Sequence, residues 1–212
     1  MIKVKMNEYH NGVLVACTTL VTAMSLLGGL SVGIAYAQFS TDQTTSLALQ
    51  QGEWSPYQNV THGVSMVYPS NWTQQNSTGD PDDRFIYVSD FFSPEETDGY
   101  FAYVTIAIDN MPNTTNIESY RNQSIDIYRQ DPEFQEFQVL SSSIGNFTLA
   151  GEPAYSLEIA YTDLEFGPQN MLEVGRMFEN RVYYIQFFAD TPIYQKYFPI
   201  VERMIESFQL TQ

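Results

Sequence analysis

Few side chains in this sequence have the types and spacing that chemistry requires. Two acidic runs come first: Asp80, Asp82 and Asp83, then Glu95, Glu96 and Asp98. Calcium takes about six to eight oxygens, which clustered loop carboxylates can supply. Neither run has the spacing of an EF-hand loop, and Pro81 and Pro94 make solvated acidic turns the plainer reading. His62 is the one histidine beyond the N-terminal leader, so a zinc or copper site lacks the second histidine or cysteine it would build on. We therefore expect no resident cofactor, with calcium at the two acidic runs as the case to test.

The same scarcity argues against catalysis. A Ser-His-Asp arrangement needs His62 opposite a serine, and no Gly-x-Ser-x-Gly turn presents one. The carboxylate pair of a glycoside hydrolase is defined by separation in space, and no pair stands out along the chain. Six Asn-x-Ser/Thr triplets, at Asn59, Asn71, Asn76, Asn113, Asn122 and Asn146, are glycan acceptors if the chain is exported into a glycosylating compartment. Asn71 is set aside because it adjoins Trp72 and is expected near the core. Asn122 falls on a helix, and the others lie in or near loops.

Totals narrow the partners. The formal net charge is −16, and after residue 37 the cations are Lys196 and six arginines. Such a surface repels nucleic acid and anionic lipid. Aromatics make up 15% of residues, far too many for a disordered chain. Lys3 and Lys5 precede an uncharged run from Val13 to Ala35, and Ala35-Tyr36-Ala37 places small residues where signal peptidase cleaves. The run is also long enough to cross a bilayer. Residues 1–37 are thus read as a signal peptide, with an uncleaved membrane anchor as the alternative. Either way the remainder is exported, to the extracellular space or the outer face of the cytoplasmic membrane. Cys17 is the sole cysteine; Leu14-Val15-Ala16-Cys17 has the look of a lipobox, but the apolar run continues past it, so Cys17 reads as an ordinary leader residue.

Residues 38–53 form a Ser/Thr/Gln-rich flexible linker, and a single domain occupies 54–212. Its organising stretch is Val182 to Phe208. Val182 to Asp190 is β-branched and aromatic on both parities, as a strand covered on both faces would be. Thr191 offers an N-cap oxygen, Pro192 suits the first helical position, and Tyr194, Phe198, Val201, Ile205 and Phe208 form one apolar stripe. Upstream, Tyr57–Val60 and Val64–Tyr68 flank Gly63 as a hairpin, followed by strands at Arg84–Ser89 and Tyr100–Asp109. Thr115 and Glu118 have capping-box spacing for a helix running to about Gln130, with Ile117, Tyr120, Ile127 and Tyr128 inward. Phe137–Ser143 and Phe147–Leu149 read as two strands broken at Gly145-Asn146. Pro153–Tyr161 alternates, with Tyr155, Leu157, Ile159 and Tyr161 on its inward face. Met171–Phe178 completes an α+β domain with a mainly antiparallel sheet.

Four stretches then resemble one family. They are Gly63-Val64-Ser65-Met66-Val67-Tyr68-Pro69-Ser70-Asn71-Trp72, Gly151-Glu152-Pro153-Ala154-Tyr155-Ser156-Leu157, Val182-Tyr183-Tyr184-Ile185, and Met204-Ile205-Glu206-Ser207-Phe208. Together they resemble the PsbP family over roughly Trp54 to Leu210. The resemblance implies an α-β-α sandwich around an antiparallel sheet, without catalysis, that docks onto or stabilises a larger assembly. The short linker and the single lysine after the leader depart from the photosystem subunit, which points to an exported, non-photosynthetic relative. The expectation is a non-catalytic accessory or scaffold protein binding a protein partner at the membrane or cell surface. A calcium- or small-ligand-binding module and an exported hydrolase are the alternatives. Tyr100, Phe101, Tyr103, Tyr183, Tyr184, Tyr194 and Tyr197 are the aromatics from which a docking patch would be drawn, if several stand exposed together.

Overall fold

A computed structural model describes residues 52–77, 84–110 and 116–210, within the unit Gln38–Gln212. The leader, most of the linker, Asp80, Asp82, Asp83, Asn113 and Thr115 lie outside the described residues. Among the described residues no helix is long and apolar enough to cross a membrane.

The central strand is β9, Arg181–Asp190, and every residue in it after Arg181 is buried. It pairs antiparallel with β5 (Ala102–Asp109) on one side and β8 (Gly167–Phe178) on the other. The sheet extends through β4 (Phe85–Phe92) to β3 (Thr73–Asn76), and in the other direction through β7 (Glu152–Asp163) to β6 (Gln135–Leu149). The order is β3-β4-β5-β9-β8-β7-β6, antiparallel throughout. A smaller sheet pairs β1 (Trp54–Asn59), β2 (Val64–Pro69) and β10 (Gln209–Leu210) in the order β1-β2-β10. The β1–β2 turn closes at Gly63, whose φ of 63° is the left-handed region glycine tolerates.

Parity assigns the two faces. Ala102, Val104, Ile106 and Ile108 of β5 join Tyr183, Ile185, Phe187 and Ala189 of β9 in the larger core. That core is closed by α2 (Tyr194–Ser207) and the small sheet, with Tyr194 stacked on Phe187 at 5.0 Å and Trp72 meeting Tyr197 edge-on at 5.8 Å. The opposite face carries α1 (Ile117–Gln130), packed on β7 and β6. With a helix on each face of an antiparallel sheet, the α+β sandwich read from the sequence is the observed architecture.

Several local expectations differ in detail. The N-cap of α1 is Asn116, whose side chain accepts from the backbone N–H of Glu118 (2.8 Å) and Ser119 (3.2 Å). Ile127 is 50% exposed instead of inward, and Ser124 takes a buried place beside Tyr120. Thr191 does not cap α2. Its hydroxyl donates to Asn170 Oδ1 on the neighbouring strand (2.8 Å), so Thr191–Ile193 forms a short 3-10 turn and α2 begins at Tyr194 without a side-chain cap. The two short strands expected around Gly145-Asn146 are one long edge strand, β6, kept continuous by irregular register at three points, one of them between Ile144 and Phe147. β7 is covered on both faces, because Ala154 and Ser156 are buried beneath the side opposite Tyr155 and Leu157.

Gly175 shows how tightly the α1 side is filled. A Cβ added there would stand 2.5 Å from Cε1 of Tyr155. The Tyr155 ring crosses β8 only because residue 175 has no side chain. Gly175→Ala should therefore displace Tyr155 and cost about 1–3 kcal/mol of stability, read from urea unfolding, whereas Gly99→Ala, in open space, should report only its φ of 80°.

Candidate functional site

Strand pairing brings polar residues from four strands into one line across the α1 face. Asp90 of β4 stands opposite Thr105 of β5, Thr105 opposite Gln186 of β9, and Gln186 opposite Glu173 of β8. On either side lie apolar clusters. One holds Ala107, Tyr120, Tyr155 and Tyr184; the other holds Leu157, Ile159, Met171 and Phe188.

Glu173, 2% exposed, is the most deeply set member. Tyr155 Oη donates to its Oε1 at 2.6 Å, and Gln186 Nε2 donates to its Oε2 at 2.8 Å. Tyr128 of α1 donates to the same Oε2 and accepts from Gln186 Nε2 at 2.7 Å. Burial, and then the nearby Glu173 charge, push the Tyr128 and Tyr155 hydroxyls well above their ordinary values, so both remain protonated donors. A buried carboxylate that takes three donors, one of them from α1, is a structural anchor for that helix.

At the other end of the line the setting changes. Asp90 is half-buried, and Thr105 Oγ1 donates to its Oδ1 at 2.6 Å. Among the described residues no cation pairs with it. Arg84 is committed to Asp109 through two contacts of 3.1 and 3.2 Å, Lys196 to Glu96, Arg121 to Glu118 and Arg129 to Asp126. Burial pushes the Asp90 carboxyl up from its ordinary value despite Thr105, and burial with the Asp90 charge pushes Tyr87 up to about 12.

Around Asp90 the surface is aromatic. Tyr103 stacks on Phe188 at 4.7 Å and on Phe101 at 6.1 Å, meets Phe92 at 5.7 Å, and Phe101 meets Phe166 edge-on at 5.8 Å. Phe92, Phe101, Tyr103 and Phe166 are all half-buried. Asp190 fixes this end of the sheet, accepting from the Phe101 backbone N–H (2.9 Å) and from Gln169 Nε2 (2.5 Å).

Of the aromatics singled out from the sequence, Tyr183, Tyr184, Tyr194 and Tyr197 pack in the core, while Tyr100, Phe101 and Tyr103 reach the surface. Glu95 and Asp98 are exposed in the β4–β5 loop. Glu96 turns inward, where Lys196 Nζ donates to its Oε1 at 2.6 Å and Tyr197 Oη donates to the same oxygen. Partial burial opposes ionisation there, but Lys196 and Tyr197 outweigh it and hold the carboxyl below its ordinary value. Among the described residues no three His, Cys, Asp or Glu side chains converge as a metal site would need. His62 sits in the β1–β2 turn with its backbone N–H bonded to Asn59 Oδ1 (3.1 Å), and its ring makes no hydrogen bond to serine or carboxylate among the described residues. Partial burial, and then Arg181, lower its pKa. Asn76, Asn122 and Asn146 are exposed and Asn59 is half-buried; Asn71, expected near the core, is exposed, since only the Trp72 ring turns inward. Asp90, Thr105, Glu173 and Gln186 were not singled out from the sequence.

No known family model and no curated protein matches the chain. Solved structures do. The chain is similar to cyanobacterial PsbP (CyanoP) from Synechocystis sp. PCC 6803, at 12% identity and a TM-score of 0.52, over 75% of this chain and 93% of that one. The fold is PsbP-like. The chain is similar also to the Saccharomyces cerevisiae Ran-binding protein Mog1p, at 6% identity and a TM-score of 0.52, over 75% and 96% of the two chains. LpqN of Mycobacterium tuberculosis, involved in cell envelope biogenesis, matches at 12% identity and a TM-score of 0.50, over 78% and 95%. At such identities the likeness is one of fold.

Two expected outcomes test this PsbP-like arrangement. Tyr128→Phe removes one donor from Glu173 and should cost about 1–3 kcal/mol, with faster amide exchange concentrated in α1. Asp90 and Glu96 should act in opposite directions with pH. Asp90, raised in the fold, destabilises it when ionised, so Asp90→Asn should raise the Tm at pH 7, with the difference vanishing below about pH 4. Glu96, lowered in the fold, stabilises it above its ordinary value, so Glu96→Gln should lower the Tm at pH 7 and have no effect once acid has protonated the native carboxyl. Thermal unfolding between about pH 3 and 7 reads both.

Proposed function

We propose that this chain is an exported, non-catalytic PsbP-like domain that acts by contact with a protein partner, as an accessory or scaffold subunit at the membrane or cell surface. The observation that carries this reading is the contrast along the polar line. The buried acid, Glu173, takes three donors from within the fold, Tyr155, Tyr128 and Gln186. The half-exposed end instead presents the rings of Phe92, Phe101, Tyr103 and Phe166 on a rigid sheet, beside the exposed Leu164 of the β7–β8 turn. Rigid aromatic surface of this kind is what protein interfaces use as anchors. Protein binding is also compatible with the fold, since Mog1p is a Ran-binding protein, and an envelope role is compatible with it, since LpqN is involved in cell envelope biogenesis.

The test uses the full chain in its own host. A photo-activated crosslinker placed at Leu164 should yield one discrete adduct from native membranes, and the same linker at the exposed Val60 of the β1–β2 turn should not. N-terminal sequencing of the same sample should read either from Gln38 or from the intact leader. A protein that migrates as a free monomer and gives no adduct at Leu164 would end the docking proposal.

A further inference from the structure

The docking reading leaves the chemistry of the partner open, and the Asp90 end of the polar line narrows it. On β4 and β5 the α1-side face shows Tyr87, Asp90 and Phe92 beside Tyr103 and Thr105. Same-face neighbours two residues apart on a strand are about 7 Å apart, and diagonal cross-strand neighbours about 7–8 Å. Phe92 and Tyr103 thus stand within a side chain's span of Asp90, and Tyr87, three residues before it across a register shift, is near enough to feel its charge. Helix α1 reaches β9 through Tyr128 on Gln186, and Asp90 lies two strands further along the sheet, where it stays half-buried. Toward the edge, the β3 residues Gln75 and Thr73 pair with Asp90 and Phe92 and are exposed.

The features around Asp90 agree on charge. Thr105 occupies one carboxylate oxygen, which fixes the group and leaves the second oxygen for another donor. No cation among the described residues supplies one. Aromatic faces attract cations through their quadrupoles at up to about 6 Å from the ring centre. Tyr87 and Tyr103, the ionisable groups facing Asp90, are both held above the ordinary tyrosine value, so they present neutral rings at physiological pH.

We propose that Asp90, flanked by Tyr87, Phe92 and Tyr103, is an anchor site for a basic side chain, lysine or arginine, of the protein partner. This rests on the docking reading and gives it a polarity: the partner's contact segment is basic and meets a chain of net charge −16. The cation completes a carboxylate that the fold leaves half-buried and uncompensated, so the pair forms only in the complex.

The probes are the capped tripeptides acetyl-Gly-Lys-Gly-amide and acetyl-Gly-Arg-Gly-amide, with acetyl-Gly-norleucine-Gly-amide as the uncharged control, titrated into the labelled domain and followed by amide chemical shifts. The expected result is saturable shifts at Tyr87, Asp90, Phe92 and Tyr103 with one or both basic peptides and none with norleucine. Asp90→Asn, which keeps an acceptor for Thr105, should weaken binding at least tenfold, whereas Glu165→Gln, which removes an equal charge from an exposed loop, should change it less than twofold. Equal shifts with norleucine, equal loss in both variants, or shifts confined to the acidic β4–β5 loop would each overturn the anchor. Failure of this proposal is separable from failure of the docking reading. A Leu164 adduct that survives Asp90→Asn leaves docking intact and sinks the anchor. Peptide binding at Asp90 without any adduct does the reverse.

Discussion

A strand whose side chains are buried on both parities must be roofed on both sides, and it must pair on both edges, since its backbone cannot reach water. Strand β9 meets that demand with β5 and β8 at its edges, α2 and the small sheet over one face, and α1 with the aromatic clusters over the other. The position of every other element follows from closing that strand. The requirement also explains α2, which turns back immediately after Asp190 so that Tyr194, four residues past the strand's end, lies flat on Phe187.

The two roofs are unequal. The α2 side is mainly apolar, and its fit is of the jigsaw kind, with Phe208, Val201 and Met204 wholly buried. The α1 side is crossed by a polar line, and the helix is tied to the sheet through Tyr128 on Glu173 as well as through packing. Satisfied polar networks of this kind favour one arrangement over its near competitors, because a shifted helix strands a buried carboxylate. The sheet is wider than the helix that covers it, and the strands left over, β3 to β5, are where surface and interior chemistry meet.

Much of this was legible in the sequence because it is periodic. The both-parity run at Val182 to Asp190 and the helical stripe ending at Phe208 identify strand and helix without knowledge of neighbours. The details that failed depend on contacts distant in sequence. Thr191 has the composition of a cap, but Asn170, brought alongside by β8, takes its hydroxyl first. Gly145-Asn146 reads as a break, yet pairing with β7 continues on both sides of it. The polar line was invisible for the same reason. Thr105, Glu173 and Gln186 are each a lone polar residue interrupting an apolar run, Asp90 follows Ser89 in another, and only the register of four strands shows that the interruptions coincide.

The irregular edge of β6 has a consequence for how this chain behaves among its own copies. From Phe137 to Ala150 it carries no charge, and Val139, Leu140 and Ile144 stand open to solvent, which is the composition of a strand that recruits others. Its repeated departures from ladder geometry deny an incoming chain the even succession of amide and carbonyl groups that cross-β growth needs. Protection against fibril formation is thus written into backbone shape along a border strand that holds neither lysine nor proline, the usual deterrents.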